Sequence, residues 1–227
     1  MKLYFHPVST TSRPIMMLAA DEGIDLDYEV VDLFSGAQLE PDYEAVNPSQ
    51  QVPVLEDGEF RLTEGSAILK YLADGAGSSA YPTDRKQRAC VNECMDWLNT
   101  GLYRDLGYGL VYPQTLPHYK RDDPVVQSGV LEWGRTKTRR WLDILDKHII
   151  GSSRYVCGDK QSLADYMGVS YLTLGEVIKL DYTPWPNVSR WIDTMKARPG
   201  WGEVNAGFYQ YFVGAFKDQD FEGLETR

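Results

Sequence analysis

"VNPSQQVPVLEDG", residues 46–58, sets a proline inside what otherwise reads as a β-strand. Proline has no N–H to give a ladder and is confined to edge strands, strand starts and bulges. Just beyond it, Asp57-Gly58 is a two-residue turn of the kind whose positive φ angles favour a tight hairpin. Val52 to Glu56 and Glu59 to Thr63 are therefore expected to be antiparallel neighbours. Working toward the N-terminus, Gln38 to Asn47 reads as a short helix and "DYEVVDLF" (27–34) as a strand. Ile15, Met16, Leu18 and Ala19 recur at helical spacing between Pro14 and Gly23, with Pro14 in the first turn where its missing N–H does no harm. Lys2 to Phe5 is a first short strand. After the hairpin, Ala67, Ile68, Tyr71 and Leu72 continue as a helix ending near Gly75. The order is β-α-β-α-β-β-α, an α/β unit.

From Gly75 to Asp84, "GAGSSAYPTD" is rich in residues that punctuate structure, and no convincing strand follows it. The expected division is a domain over 1–76, a linker over 77–84 and an all-helical domain over 85–227. Cys90, Cys94, Trp97, Leu98 and Gly101 fall on one face of a long helix; Trp141, Ile144, Leu145 and His148 fall on another. "SLADYMGVSYLTLGEVI" opens with Ser162 and Asp165 in capping-box spacing before a long apolar run, which marks a buried central helix. Trp191, Ile192 and Met195 belong to one more helix, stopped by "RPGW", and the tail from Phe208 to Phe216 clusters aromatic residues.

The 227 residues carry a formal charge of −10 with a pI near 4.8, which argues against partners such as nucleic acid or an anionic membrane surface. No segment approaches the roughly 18 consecutive apolar residues of a membrane span, and "MKLYFHPVSTT" lacks the apolar run of a signal peptide. A cytoplasmic protein is expected. Cys90, Cys94 and Cys157 form no CxxC and leave an odd count, which fits reduced core thiols. Neither they nor the three histidines offer metal-ligand spacing, and no P-loop or dinucleotide fingerprint occurs.

Several stretches together resemble the glutathione S-transferase family, closest to its serine-using theta-like and bacterial classes. "VNPSQQVPVL" is similar to the family's N-P-x-x-x-V-P-x-L segment, "LTEGSAILKYL" to its L-x-E-S-x-A-I-x-x-Y-L segment, "SLADYMG" to its helical cap, and "WPNVSRWIDTMKARPGW" to its final conserved-pattern helix. The resemblance spans nearly the whole chain. It implies a thioredoxin-like domain joined to an all-helical one, glutathione as co-substrate, no metal, and a homodimer with two-fold symmetry. It also implies that Pro53 is cis and that Val52 offers its N–H and C=O to the cysteinyl main chain of glutathione, as an added strand would. Glu64 would then hold the γ-glutamyl ammonium, and Gly65 and Ser66, at a helix N-terminus, its carboxylate. Gln51 and Gln38 match positions that reach the glycyl end. Gly65 departs from the family's serine, so a hydroxyl contact is lost there unless Ser66 replaces it.

The chemistry is expected in "HPVSTTSRP" (6–14). A thiol of pKa near 8.5 is mostly protonated at neutral pH, and lowering it by about two units requires roughly 2.7 kcal/mol. One hydrogen bond to a charged acceptor supplies about 1.5–3 kcal/mol and a helix N-terminus about 0.3–1 kcal/mol. Ser9 matches the family's catalytic serine, a donor to the substrate sulfur; Thr10 and Ser12 also bear hydroxyls, and Ser12 or Thr11 is expected to cap the helix and leave Ser9 free. The electrophile, a small hydrophobic molecule, is expected between the domains against Tyr103, Tyr108 and Tyr112, with Phe208, Tyr211 and Phe212 of the tail as a lid. Two functions stand at this point. One is conjugation of glutathione to apolar electrophiles, with dehalogenation, ether cleavage or peroxide reduction as subtypes. The other is a non-catalytic binding module of the same fold in a transcription or translation complex.

Overall fold

The computed structural model describes residues 1–225. Its sheet is built around β1 (Lys2–Phe5), which pairs in parallel with β2 (Asp27–Val30) and antiparallel with β3 (Val54–Asp57); β4 (Phe60–Leu62) adds to β3, giving the order β2-β1-β3-β4. Leu3, Phe5 and Leu55 point into the main core, against which α1 (Arg13–Glu22) packs Ile15 and Leu18, while Val54 belongs to a second cluster with Val31, Tyr43 and Val52. Pro14 lies in the first turn of α1, and Gly23, at φ 65°, ends it through an N–H donated to Ala19. The sheet with α1 and α3 (Gly65–Ala76) is the thioredoxin-like arrangement that the element order predicts.

Several boundaries differ from the expectation for local reasons. β3 begins at Val54, paired with Tyr4, so Pro53 stands just before the ladder and owes it no N–H. Asp57 is paired with Phe60, which makes Gly58-Glu59 the turn instead of Asp57-Gly58; Gly58 supplies the positive φ, 62°, at the first central position. β2 ends at Val30, four residues short of Phe34, although Val31 still donates to the Phe5 carbonyl. The single helix read over 38–47 is a 3₁₀ turn, Ala37–Leu39, and α2 (Pro41–Glu44), divided where Pro41 has no N–H. α3 runs through Gly75 to Ala76 and is closed by Gly77 at φ 63°.

The second half is helical. Asp84 caps α4 (Arg85–Trp97) by accepting from the N–H groups of Lys86 and Gln87. The chain stays wound through a π-type stretch, Leu98–Val111, and α5 (Tyr112–Thr115). α6 (Pro124–Ile144) crosses this stretch at Gly134, where a Cβ would overlap the Gly109 backbone. α7 (Leu163–Thr173) is buried along its entire length and opens with the Ser162–Asp165 capping box. α8 (Pro186–Lys196) and α9 (Trp201–Gly207) follow, and the chain continues through Phe208–Val213.

Two faces were displaced from the expectation. On α4 the buried residues are Val91 and Met95, continued by Leu98 and Leu102, while Cys90 is exposed and Cys94 half-buried. On the second helix Leu142 and Leu145 are buried and His148 is exposed. The thiols are free; Cys94 and Cys157 are half-buried and pack against the core, and Cys90 is exposed. Among the described residues, no helix is long and apolar enough to cross a membrane and no His, Cys, Asp or Glu cluster could hold a metal ion.

Candidate functional site

The turn from His6 to Ser12 feeds β1 into α1. Ser9 donates its N–H to the His6 carbonyl, and its Oγ accepts from the Ser12 N–H at 3.2 Å and lies 3.2 Å from Thr11 Oγ1. Ser9 is thus not free of capping. The Ser12 side chain makes no capping bond; its Oγ is fully buried without a partner. Thr10 turns the other way, with Oγ1 3.3 Å from the Tyr112 hydroxyl. Of the neighbouring hydroxyls only Thr11 reaches the adjoining cleft: it donates to the Val52 carbonyl at 3.2 Å. With that proton committed, the Ser9–Thr11 bond has Ser9 as donor, and an accepted N–H makes the Ser9 hydroxyl a stronger one.

The Val52–Pro53 peptide is cis. Tyr43 OH and Asn47 Nδ2 both donate to the Gln51 carbonyl at 2.8 Å, which fixes the segment from behind and leaves the Gln51 side chain exposed. Gln38 lies in the preceding 3₁₀ turn with Oε1 buried and unpartnered. Across the cleft, Glu64 adopts φ 65°, ψ 112° at the start of α3, a conformation that costs a non-glycine residue about 1–3 kcal/mol. The carboxylate of Glu64 is exposed there, beside the unpaired first-turn N–H groups at Gly65 and Ser66. Gly65 has a structural reason: a Cβ on it would sit 3.0 Å from the Thr11 carbonyl oxygen and 3.8 Å from Pro53 Cγ. The absent side chain lets α3 approach the Ser9 turn. Two adjoining recesses share Thr11, Glu64 and Gly65; Gln51, Val52 and Pro53 line one, Ser66, Asn99 and Tyr171 the other.

The tyrosines form a cluster beside this cleft. Tyr103 OH is 2.8 Å from Tyr112 OH, Tyr103 stacks on Tyr171 with centroids 4.2 Å apart, and Tyr108 packs edge-on against Tyr103, Tyr112 and Tyr119. Burial pushes Tyr103 up and Tyr112 up to about 12, so both stay protonated at neutral pH. The tail is arranged differently from a lid. Phe208 is fully buried and Phe212 nearly so, the two packing on each other, while Tyr211 is exposed. The Arg13 guanidinium carbon stands 3.8 Å over the Phe208 ring.

Sequence reasoning missed two residues. Thr11 joins Ser9, Val52 and Gly65, a role that depends on residues more than forty positions away. Arg13 is a fully buried cation that donates to Asn205 Oδ1 (2.9 Å), the Ser170 carbonyl (2.7 Å) and Thr173 Oγ1 (3.2 Å). Among the described residues it has no carboxylate within salt-bridge distance. Burial lowers it to about 10, which leaves it charged at neutral pH. It ties α1, and with it the Ser9 turn, to α7 and α9. A larger cavity, about 700 Å³, lies elsewhere, between the end of α3, the start of α4 and the loop before α7, and is lined by none of these residues. The strained Glu64, the helix N-terminus and the Thr11 hydroxyl point to the smaller cleft as the candidate site.

Comparison with known proteins bears on the family and the fold. The family model "Glutathione S-transferase, N-terminal domain" matches residues 1–74, and "Glutathione S-transferase, C-terminal domain" matches 118–199. Glutathione S-transferase D6 of Drosophila melanogaster is 31% identical over 208 residues, covering 89% of this chain and 91% of that protein. A delta-class glutathione transferase of Nilaparvata lugens superposes with TM-score 0.80 at 32% identity, over 95% of this chain and 98% of the other. A glutathione transferase homolog of Drosophila mojavensis, solved with bound glutathione, gives TM-score 0.81 at 25% identity over 97% of both chains. The first of these structures is a delta-class enzyme, and the theta-like class expected from the sequence is not what the comparison names. With its sheet, its helical domain and this degree of likeness over nearly its full length, the chain belongs to the glutathione S-transferase family.

Proposed function

We propose that the chain is a cytoplasmic homodimer that conjugates the thiol of glutathione to small apolar electrophiles, with dehalogenation and ether cleavage as variants of the same thiolate attack. The observation that carries this reading is the meeting of the Thr11 hydroxyl, the Val52 carbonyl and the N-terminus of α3 at one cleft, with the Ser9 hydroxyl, which does not itself line that cleft, bonded to Thr11. Val52 meets the cysteinyl main chain of glutathione; its carbonyl has a second lone pair beside the one that Thr11 occupies. Pro53 shapes that segment. Glu64 pairs with the γ-glutamyl ammonium, Gly65 and Ser66 receive the γ-glutamyl carboxylate, and Gln51 and Gln38 reach the glycyl end.

The thiol then lies beside Ser9. Its hydroxyl proton moves from Thr11 to the sulfur, and the bond is stronger to a thiolate than to a thiol. Such a bond contributes about 1.5–3 kcal/mol, enough for a shift of about two pKa units. The buried Arg13 charge and the N-terminus of α1 act in the same direction. Electrophiles enter against Tyr103, Tyr108 and Tyr112, whose protonated hydroxyls can polarise a leaving group. Tryptophan fluorescence titrated with glutathione, followed by a conjugation assay against an aryl halide, an alkyl halide and an activated thioether, tests the reading. Saturable binding with turnover of one of them is expected; binding with no turnover of any would overturn it.

A further inference from the structure

From Gln219 to Leu224 the chain has neither helix nor strand, yet Phe221, Glu222 and Gly223 are half-buried and Leu224 is buried. Main-chain groups placed so must find their partners in other elements. Lys179 donates to the Gln219 carbonyl at 2.8 Å, Arg135 Nε to that of Gly223 at 3.0 Å and Arg139 to that of Leu224 at 2.6 Å. Arg135, itself buried, also pairs with the Glu222 carboxylate. The contact with α5 runs both ways. The Gln114 amide donates to the Glu222 carbonyl at 3.1 Å and accepts from the Glu222 N–H at 2.8 Å, as a residue of a neighbouring strand would.

The segment is rooted on two sides of the candidate site. On one, an edge-on ladder of rings from Phe208 through Phe212 and Phe216 to Phe221, with successive centroids 6.1, 5.7 and 6.0 Å apart, starts under the Arg13 guanidinium. On the other, Gln114 follows two residues after Tyr112, whose hydroxyl stands between those of Thr10 and Tyr103. α5 cannot hold itself by its own hydrogen bonds. It is four residues long, follows a π-type stretch and is succeeded by Pro117, which has no N–H to give; one isolated turn of helix is unstable in water. Gln127 of α6 holds the Pro113 carbonyl at 2.8 Å, and the segment holds Gln114.

We propose that residues 217–224 are a strap that positions α5, and with it Tyr112, on the electrophile side of the cleft, with Gln114 as the positioning residue through which it acts. The inference rests on the electrophile reading of Tyr112 given above. None of residues 217–224 lines the two recesses, so the strap acts by gripping α5 and not by covering the cleft. Once it is released, the distance from Tyr112 to Thr10 is no longer fixed, and an apolar group on the glutathione sulfur loses its backing. Glutathione itself, held at Val52, Glu64 and the start of α3, keeps its contacts.

The test uses the full chain, Gln114→Met and Arg139→Met. Arg139 is exposed on α6 and bonds the strap through Leu224, so an effect common to both variants passes through the strap. Trypsin cleavage after the exposed Lys217, read as the mass of the fragment that begins at Asp218, measures release and should be faster in both. Calorimetric titrations with glutathione and with S-hexylglutathione, which adds an apolar chain to the same sulfur, measure the consequence. The Kd for glutathione should stay as in the parent, while that for S-hexylglutathione should rise about fivefold in Gln114→Met, the worth of about one hydrogen bond, and in the same direction in Arg139→Met. Faster cleavage with an unchanged Kd for S-hexylglutathione, or equal weakening of both ligands, would overturn the proposal. So would an effect of Gln114→Met that Arg139→Met, cleaved as fast, does not share. A parent that binds both ligands but turns over no electrophile would overturn the catalytic reading alone, because the strap is judged by the two affinities.

Discussion

Arg13→Met probes the contact on which the position of the Ser9 turn rests. The substitution keeps an unbranched side chain of similar length against Phe208 but removes every donor. Ser170's carbonyl and Asn205 Oδ1 lose their bonds at 2.7 and 2.9 Å, whereas Thr173 Oγ1 retains its own bond to the Val169 carbonyl at 2.8 Å. The orphaned Asn205 acceptor costs about 1–3 kcal/mol, the lost charged bond to the Ser170 carbonyl, which keeps the Thr173 hydroxyl at 3.3 Å, about 1.5–3 kcal/mol, and the lost contact of the guanidinium with the Phe208 ring about 0.5–2 kcal/mol. Against this stands the removal of a buried cation with no carboxylate in reach, whose desolvation costs several kcal/mol. The balance is a destabilisation of about 2–4 kcal/mol, or roughly 5–15 °C in Tm for a chain of this size. The main-chain N–H of residue 13, which methionine keeps, bonds the Ser9 carbonyl, so a shift of α1 carries the Ser9 turn with it and the KM for glutathione should rise together with the fall in Tm. Arg13→Lys should not rescue either quantity, since one ammonium cannot span three acceptors on two helices. Circular dichroism melts and initial rates measure both. A Tm equal to or above the parent's would refute the reasoning, because it would mean that burying the guanidinium costs as much as its bonds return.

Other perturbations separate the remaining contacts. Asp165→Asn removes a carboxylate that serves Val156, Ser162 and the Trp191 indole, and should lower stability by about 2–4 kcal/mol in denaturant titrations; an unchanged midpoint would contradict that network's importance. Thr11→Val keeps the shape but cuts the link between Ser9 and Val52; at about 1 kcal/mol per lost bond, a rise of about three- to tenfold in the KM for glutathione is expected, with Tm lower by about 2–8 °C. His6, whose pKa burial lowers, accepts from the Val8 N–H through Nδ1, so protonation breaks that bond. Since the unfolded chain binds this proton more readily, stability should fall as pH drops below about 6.5, and His6→Gln should flatten the slope of Tm against pH. Equal slopes would assign the acid sensitivity elsewhere.

The fold was legible wherever its signal was local. Pro14 in a first turn, Gly23 beyond a last one, Ser162 and Asp165 three apart, and a Gly58 turn between apolar runs all act through neighbours in the chain. The burial faces of α4 and α6 were less so, because a cysteine or a histidine at helical spacing scores as apolar whether it meets the core or its rim. Cys90 and His148 are on the rim. The candidate site divides in the same way. The segment 51–53 and the start of α3 carry a pattern that a single sequence can present, while the roles of Thr11 and Arg13 arise from residues brought close only by folding. Ser9 stands between these cases: its position is readable, but the bond it accepts from the Ser12 N–H is not, since the sequence leaves capping to Ser12 or Thr11 and Ser9 free.

The central claim is that the Ser9 hydroxyl ionises bound glutathione. The ultraviolet absorbance of the thiolate, followed against pH in saturated parent and Ser9→Ala protein, tests it most directly. The loss of the bond from Ser12 should cost the variant about 0.5–1.5 kcal/mol, so both must be shown folded by circular dichroism at each pH. In the parent the thiolate should appear about two units below the 8.5 of a free thiol, and in Ser9→Ala at or near that free value, with turnover at neutral pH reduced at least about tenfold. The same midpoint in both proteins would show that the sulfur is ionised by some other group and that Ser9 only shapes the turn.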